Sequence, residues 1–218
     1  GMELIEYNFE TAAKIQIPGA WNAADEKLFF YRGPVWLYKK FRYSPKKESL
    51  THLYIEGSNF TTKIFINGSI VGKFEGGYVP FNFEISEYLK DGDNILLVQT
   101  DNALNESSVP TQKTDWWPWG GIVGDVYIVE TPKQFIRNAY LQLNPENFSQ
   151  AHFNLEMNDR FAGQEIHLEI PELQFSNKFI TNSSGAITEN IKITPQLWSP
   201  SSPKLYEVTI SSNNESIK

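Results

Sequence analysis

Lys63-Ile64-Phe65-Ile66-Asn67-Gly68-Ser69-Ile70-Val71 decides the fold class. Two short apolar runs flank an Asn-Gly pair, and a type I′ turn needs positive φ at both central residues, which Asn and Gly tolerate. The segment reads as a tight β-hairpin. Outward from it, period-2 alternation recurs along the chain and helical period is nearly absent. Phe153, Leu155 and Met157 share one face of residues 152–157. Ile166, Leu168 and Ile170 do the same, with His167 and Glu169 outward. Further strands are expected at 14–17, 36–43, 50–56, 81–85, 95–100 and 123–130. Short strands at roughly 8–12-residue spacing, punctuated by Gly, Pro and Asn, point to β-sandwiches. The one helix-like piece is a single turn over 86–90, with Ser86 as its cap. The chain is all-β.

Composition narrows the possibilities. With 15 Phe, 10 Tyr and 6 Trp in 218 residues the chain is too aromatic for a disordered segment. No stretch approaches the ~20 apolar residues of a membrane-spanning helix. Zero cysteines exclude disulfides, zinc–thiolate sites and a thiol nucleophile. A net charge of −7 without a basic run argues against nucleic acid or an anionic membrane as partner. Gly1-Met2 reads as the remnant of a cleaved tag. No leader-like segment opens the sequence, which leaves the compartment undefined. Six Asn-X-Ser/Thr sequons, at Asn59, Asn67, Asn105, Asn147, Asn182 and Asn214, fit an Asn-rich, turn-rich chain as well as glycosylation. A boundary is expected near Thr131-Pro132: five of the six Trp precede it, and the part after it has cleaner alternation in about the length of an immunoglobulin-like sandwich.

Few residues offer chemistry. His52, His152 and His167 are scattered, without the spacing of metal ligands or of a catalytic base. Phosphate-cradling glycine loops and a nucleophile elbow have no match. The unusual segment is Thr114-Asp115-Trp116-Trp117-Pro118-Trp119-Gly120-Gly121, at the end of a polar stretch from Asn102 to Lys113. Pro118 denies a ladder donor and the two glycines weaken a strand, so the segment is poor core material. Aromatic rings stack on apolar sugar faces and a carboxylate accepts from sugar hydroxyls, so Asp115, Trp116 and Trp117 are candidate carbohydrate contacts. The alternative is a tryptophan plug at one end of a sandwich, with Asp115 as a turn residue.

Several landmarks then fall in one order. They are Ile17-Pro18-Gly19-Ala20-Trp21-Asn22, Tyr31-Arg32-Gly33-Pro34-Val35-Trp36, Phe65-Ile66-Asn67-Gly68 and Glu75-Gly76-Gly77-Tyr78-Val79-Pro80-Phe81. Asp101-Asn102, Trp119-Gly120-Gly121-Ile122 and Leu197-Trp198-Ser199-Pro200-Ser201-Ser202-Pro203-Lys204-Leu205-Tyr206 complete the series. Collinear over 15–210, the set resembles the first two domains of family 2 glycoside hydrolases, the β-galactosidase, β-glucuronidase and β-mannosidase group. Val123-Gly124 stands where that family usually carries an Arg, and the chain opens at what looks like its second strand.

The resemblance implies a jelly-roll-like, galactose-binding-type β-sandwich over 1–131 and an immunoglobulin-like β-sandwich over 132–218. It also implies a terminal β-linked sugar as substrate of the parent enzyme. The family's acid/base and nucleophile belong to a (β/α)₈ barrel of ~250 residues, which nothing here fits. No catalytic residue, metal ligand or cofactor is therefore assigned, and the chain alone is expected to be inactive. The loop before Gly-Gly-Ile borders the sugar pocket in that family, and Asp115 falls on its acidic position, with Trp116 and Trp117 as neighbours. Asn102 is expected to be structural. A free-standing carbohydrate-binding module and a structural or interaction sandwich remain the alternatives.

Overall fold

The computed structural model describes residues 8–108, 111–159 and 161–218. They form two compact units, Gly1–Glu130 and Thr131–Lys218. The first unit follows the order β1 (Gly19–Ala20), β2 (Pro34–Tyr43), β3 (Ser49–Ile55), β4 (Ser58–Asn59) and β5 (Thr61–Ile66). It continues with β6 (Ser69–Glu75), β7 (Phe81–Glu84), β8 (Gly92–Asp101), β9 (Gly121–Ile122) and β10 (Val126–Pro132), the last running across the division. One sheet is ordered β2-β8-β5-β6, a second β10-β3-β7, and the shortest strands form β1-β9-β4. β5 and β6 are the hairpin read from sequence: Ile66 pairs with Ser69 across Asn67 and Gly68, whose φ values are 51° and 86°. Asn67 also donates its side-chain amide to the Tyr88 carbonyl and to Asn94 Oδ1, both at 2.8 Å, which fixes the turn. Alternate residues of β5 and β8 are buried. Ile64, Ile66 and Val98 meet Leu53, Ile55 and Phe81 in one apolar core.

The second unit contains β11 (Ile136–Asn144), β12 (Asn147–Met157), β13 (Glu165–Ile170), β14 (Phe175–Ile180), β15 (Ala186–Lys192), β16 (Thr209–Ser211) and β17 (Ser216–Ile217). Its sheets are β11-β12-β15 and β14-β13-β16-β17. The faces read from alternation close on each other: Phe153, Leu155 and Met157 of β12 share a core with Ile166, Leu168 and Ile170 of β13.

Three local expectations differ from the structure. Residues 14–17 have no ladder partner among the described residues; pairing starts at Gly19-Ala20, against Gly121-Ile122. Gly121 is thus a strand residue, where its sequence context suggested otherwise. Ser86 lies inside the 3₁₀ turn Ser86–Tyr88 instead of capping it, because its Oγ accepts the Thr51 N–H at 2.9 Å and ties the turn to β3. An α-helical turn also forms at Trp21–Ala24, where no period signals it, with Trp21 and Asn22 buried.

Candidate functional site

The tryptophan segment is held from below by three buried asparagines. Asn22, 2% exposed, donates its side-chain amide to the carbonyls of Leu28 (2.8 Å), Phe29 (3.1 Å) and Tyr31 (3.0 Å). An amide nitrogen has two hydrogens, so three carbonyls share them. Its Oδ1 accepts the Gly120 N–H at 2.8 Å. Asn102, 1% exposed, accepts the Gly33 N–H at 3.0 Å and donates to the Pro118 carbonyl at 2.7 Å. Asn59 of β4 donates to the Trp119 carbonyl at 2.9 Å, and Tyr78 Oη donates to the same oxygen at 3.1 Å. Burial pushes the Tyr78 hydroxyl above the usual phenol range, so it keeps the proton it donates. Irregular backbone inside a protein must find partners outside any ladder, and here side-chain amides supply them.

The glycines permit close approach. A Cβ on Gly120 would lie 2.0 Å from Trp21 Cζ2, and one on Gly121 (φ +137°) 2.5 Å from the Gly19 carbonyl oxygen. The Trp21 N–H donates to the Gly120 carbonyl at 3.0 Å, which continues this seam along the same edge. The aromatic-glycine segment is thus seated on Trp21 and cannot take side chains there.

Above this base the three candidate residues divide. Asp115 and Trp116 are exposed, Trp116 at 73%, and the Thr114 hydroxyl accepts the Trp116 N–H at 3.1 Å in a local turn. Trp117 is half-buried and belongs to an aromatic cluster. It stacks on Phe29 at 5.0 Å between centroids and 30° between planes, and meets Phe30 edge-on at 5.6 Å. Trp119 lies 6.3 Å from it on another side. The Trp117 indole N–H is buried with no acceptor among the described residues, so this side chain offers a ring and not a donor. Asn102 is structural, in agreement with its reading from sequence.

The sequence reading gave no site role to Phe29, Phe30, Arg32, Asn22, Asn59 or Tyr78, although Asn22, Arg32 and Tyr78 fall within its landmark motifs. Phe30 is 78% exposed, and the Arg32 guanidinium carbon lies 5.7 Å from the Trp117 ring centroid. The available signal was Phe29-Phe30-Tyr31-Arg32 itself, an aromatic run without alternation. With Trp117 and Trp119 it makes a cluster of rings and one guanidinium, and the exposed Asp115 and Trp116 precede Trp117 in the chain. Such a cluster can stack on a sugar face and bond its polar substituents.

Comparison with known proteins follows the same division. Residues 3–132 match the family model described as "Glycosyl hydrolases family 2, sugar binding domain", and residues 134–218 the one described as "Glycosyl hydrolases family 2". A β-galactosidase of Thermoanaerobacter pseudethanolicus is 29% identical over 94% of this chain and 29% of its own length. A β-galactosidase of Streptococcus thermophilus is 27% identical over 75% of this chain and 16% of its own. The chain thus spans less than a third of the curated relatives it matches. Among solved structures, a β-glucuronidase from an uncultured Clostridium species superposes with a TM-score of 0.79 at 21% identity, over 99% of this chain and 40% of that one, a likeness of fold.

Proposed function

Because this chain belongs to glycosyl hydrolase family 2, we propose that it is the non-catalytic, sugar-facing region of a retaining β-glycosidase. Residues 1–131 serve as the sugar-binding jelly-roll-like domain and 132–218 as the immunoglobulin-like domain. The carboxylate pair that breaks the glycosidic bond, about 5–5.5 Å apart in a retaining enzyme, lies on a barrel outside these residues. The loop before Gly120-Gly121-Ile122 borders the pocket of that barrel, where Asp115 accepts a hydrogen bond from a sugar hydroxyl and Trp116 and Trp117 supply apolar surface.

One observation carries this reading. The base of the loop is immobilised by Asn22, Asn59 and Asn102, while Asp115 and Trp116 at its tip are exposed. A carboxylate that stabilised the fold would be expected at the base. A charged hydrogen bond to a sugar is worth about 1.5–3 kcal/mol. Asp115→Asn in the enzyme that carries this chain should therefore lower kcat/KM by about 10- to 150-fold, with the melting temperature unmoved. Earlier melting with unchanged activity per folded molecule would overturn the assignment. The 218-residue chain alone should not hydrolyse nitrophenyl β-glycosides.

A further inference from the structure

The backbone on both sides of Arg32 is fixed by the two asparagines that fix the tryptophan loop. The Tyr31 carbonyl accepts from Asn22 Nδ2 at 3.0 Å, and the Gly33 N–H donates to Asn102 Oδ1 at 3.0 Å. The same side chains hold the Gly120 N–H at 2.8 Å and the Pro118 carbonyl at 2.7 Å. Arg32 and Trp117 are thus mounted on one buried hydrogen-bonded base. The guanidinium carbon lies 5.7 Å from the Trp117 ring centroid, within cation–π range. Trp117 is in turn seated on Phe29.

A guanidinium held near a ring by cation–π attraction spends no N–H on a carboxylate, and its planar fork of donors matches an oxyanion. Arg32 is exposed, and no carboxylate among the described residues pairs with it, although the chain carries 26 acidic against 19 basic residues. A long cationic side chain held at its backbone, laid on a ring and left without an acidic partner is poorly explained as a stabilising contact. It suits an anion brought in by a ligand.

We propose that Arg32 and Trp117 form a subsite for an anionic substituent of a sugar, the carboxylate of a uronic acid or a sulfate ester. The proposal rests on the reading of the loop before Gly120-Gly121-Ile122 as sugar-facing and adds charge selection to it. Arg32 takes the oxyanion through its N–H fork, and the exposed ring of Phe30, which meets Trp117 edge-on, takes the apolar face of the saccharide.

The test is a titration of the 218-residue chain, followed by tryptophan fluorescence, with three disaccharides alike except for the terminal residue: uronic acid, sulfated hexose and neutral hexose. The acidic sugars should bind at least about tenfold more tightly than the neutral one, and added salt should weaken only the acidic ones. Binding of both acidic sugars defines an oxyanion site, and binding of the uronide alone a carboxylate site. Arg32→Gln should reduce the acidic sugars to the affinity of the neutral one. Arg32→Lys, which keeps the charge and loses the fork, should fall between and serves as the test if the glutamine variant fails to fold. Equal binding of acidic and neutral sugars, an acidic preference that survives both substitutions, or no binding of the acidic sugars overturns the proposal. None of these outcomes alters the Asp115→Asn measurement, so the two readings fail separately.

Discussion

The two units bury different chemistry. Among the described residues, nine of the ten buried polar side chains lie in the first unit, and Thr181 alone lies in the second. The second unit closes on aliphatic side chains and Phe153, because its backbone is largely satisfied by regular ladders and only a dry interior is needed. The first unit has an equally apolar core between its two larger sheets. Beyond that core, it holds irregular backbone in place with amide side chains. Asn94 repeats the device away from the site, accepting from the Lys90 N–H and donating to the Lys90 and Gly92 carbonyls at 2.8–3.0 Å. Buried asparagine therefore marks where this fold fixes loops. Where such a fixed loop also carries exposed rings and charges, a rigid base serves a presented surface.

The sharpest way to break this contrast is Asn22→Leu, which keeps the branched shape of the side chain, in a larger volume, and removes the hydrogen bonds. It would leave the Phe29 and Tyr31 carbonyls and the buried Gly120 N–H without this partner, while the Leu28 carbonyl keeps the Tyr31 N–H. Each orphaned group costs about 1–3 kcal/mol when water does not replace the partner, so urea unfolding of the chain should show a loss of at least about 3 kcal/mol. A cost below about 1 kcal/mol would mean that water replaces the amide, and that the loop is not fixed from below.

The next effect belongs to the second unit. Phe153 is fully buried and lies 5.3 Å from Phe179, centroid to centroid. Phe153→Ala should cost about 3–4 kcal/mol through lost transfer energy and a cavity. A volume-sparing Phe153→Leu should cost less than about 1.5 kcal/mol. That tolerance is what separates a dry core from an amide network, since no apolar residue substitutes for Asn22. If Phe153→Leu proved as costly as Asn22→Leu, the distinction would collapse.

Legibility from sequence divided along the same line. The second unit could be read because strand alternation is a local signal: β12 and β13 bury the residues that period 2 selects. The Asn67-Gly68 hairpin was legible for the same reason, its partners being neighbours in sequence. The tryptophan segment could be recognised as anomalous, and Asp115 and Trp116 do stand exposed. Of its support, only Asn102 was read as structural, and none of the long-range partners could be read. Asn22 reaches Gly120 across 98 residues and Asn102 reaches Gly33 across 69. A single amide leaves no periodic trace, and Asn22 stands between Trp21 and Ala23 with nothing local to mark its role. Two-residue strands such as β1 and β9 are equally silent, since alternation needs several residues to show. Arg32 was missed because its meaning lies in Trp117, which it approaches only in the folded chain.

The smallest expected effect distinguishes presentation from packing within the site itself. Trp116 and Trp117 are adjacent in sequence and identical in chemistry, yet Trp116 is 73% exposed while Trp117 contacts Phe29, Phe30 and Trp119. Burial of an aromatic side chain and its ring contacts stabilise the fold; an exposed ring contributes almost nothing. Trp117→Ala should therefore destabilise the chain by about 2 kcal/mol, while Trp116→Ala should shift it by less than about 0.5 kcal/mol. Circular dichroism during urea unfolding is the proper readout, because each variant also removes a fluorophore. Equal costs would place both rings in the aromatic cluster and leave Asp115 without an aromatic neighbour to present. A cost at Trp117 alone would leave Trp116 as a large apolar ring held in water with no role in stability. Such a ring, with no part in holding the fold, is available to stack on the apolar face of a ligand.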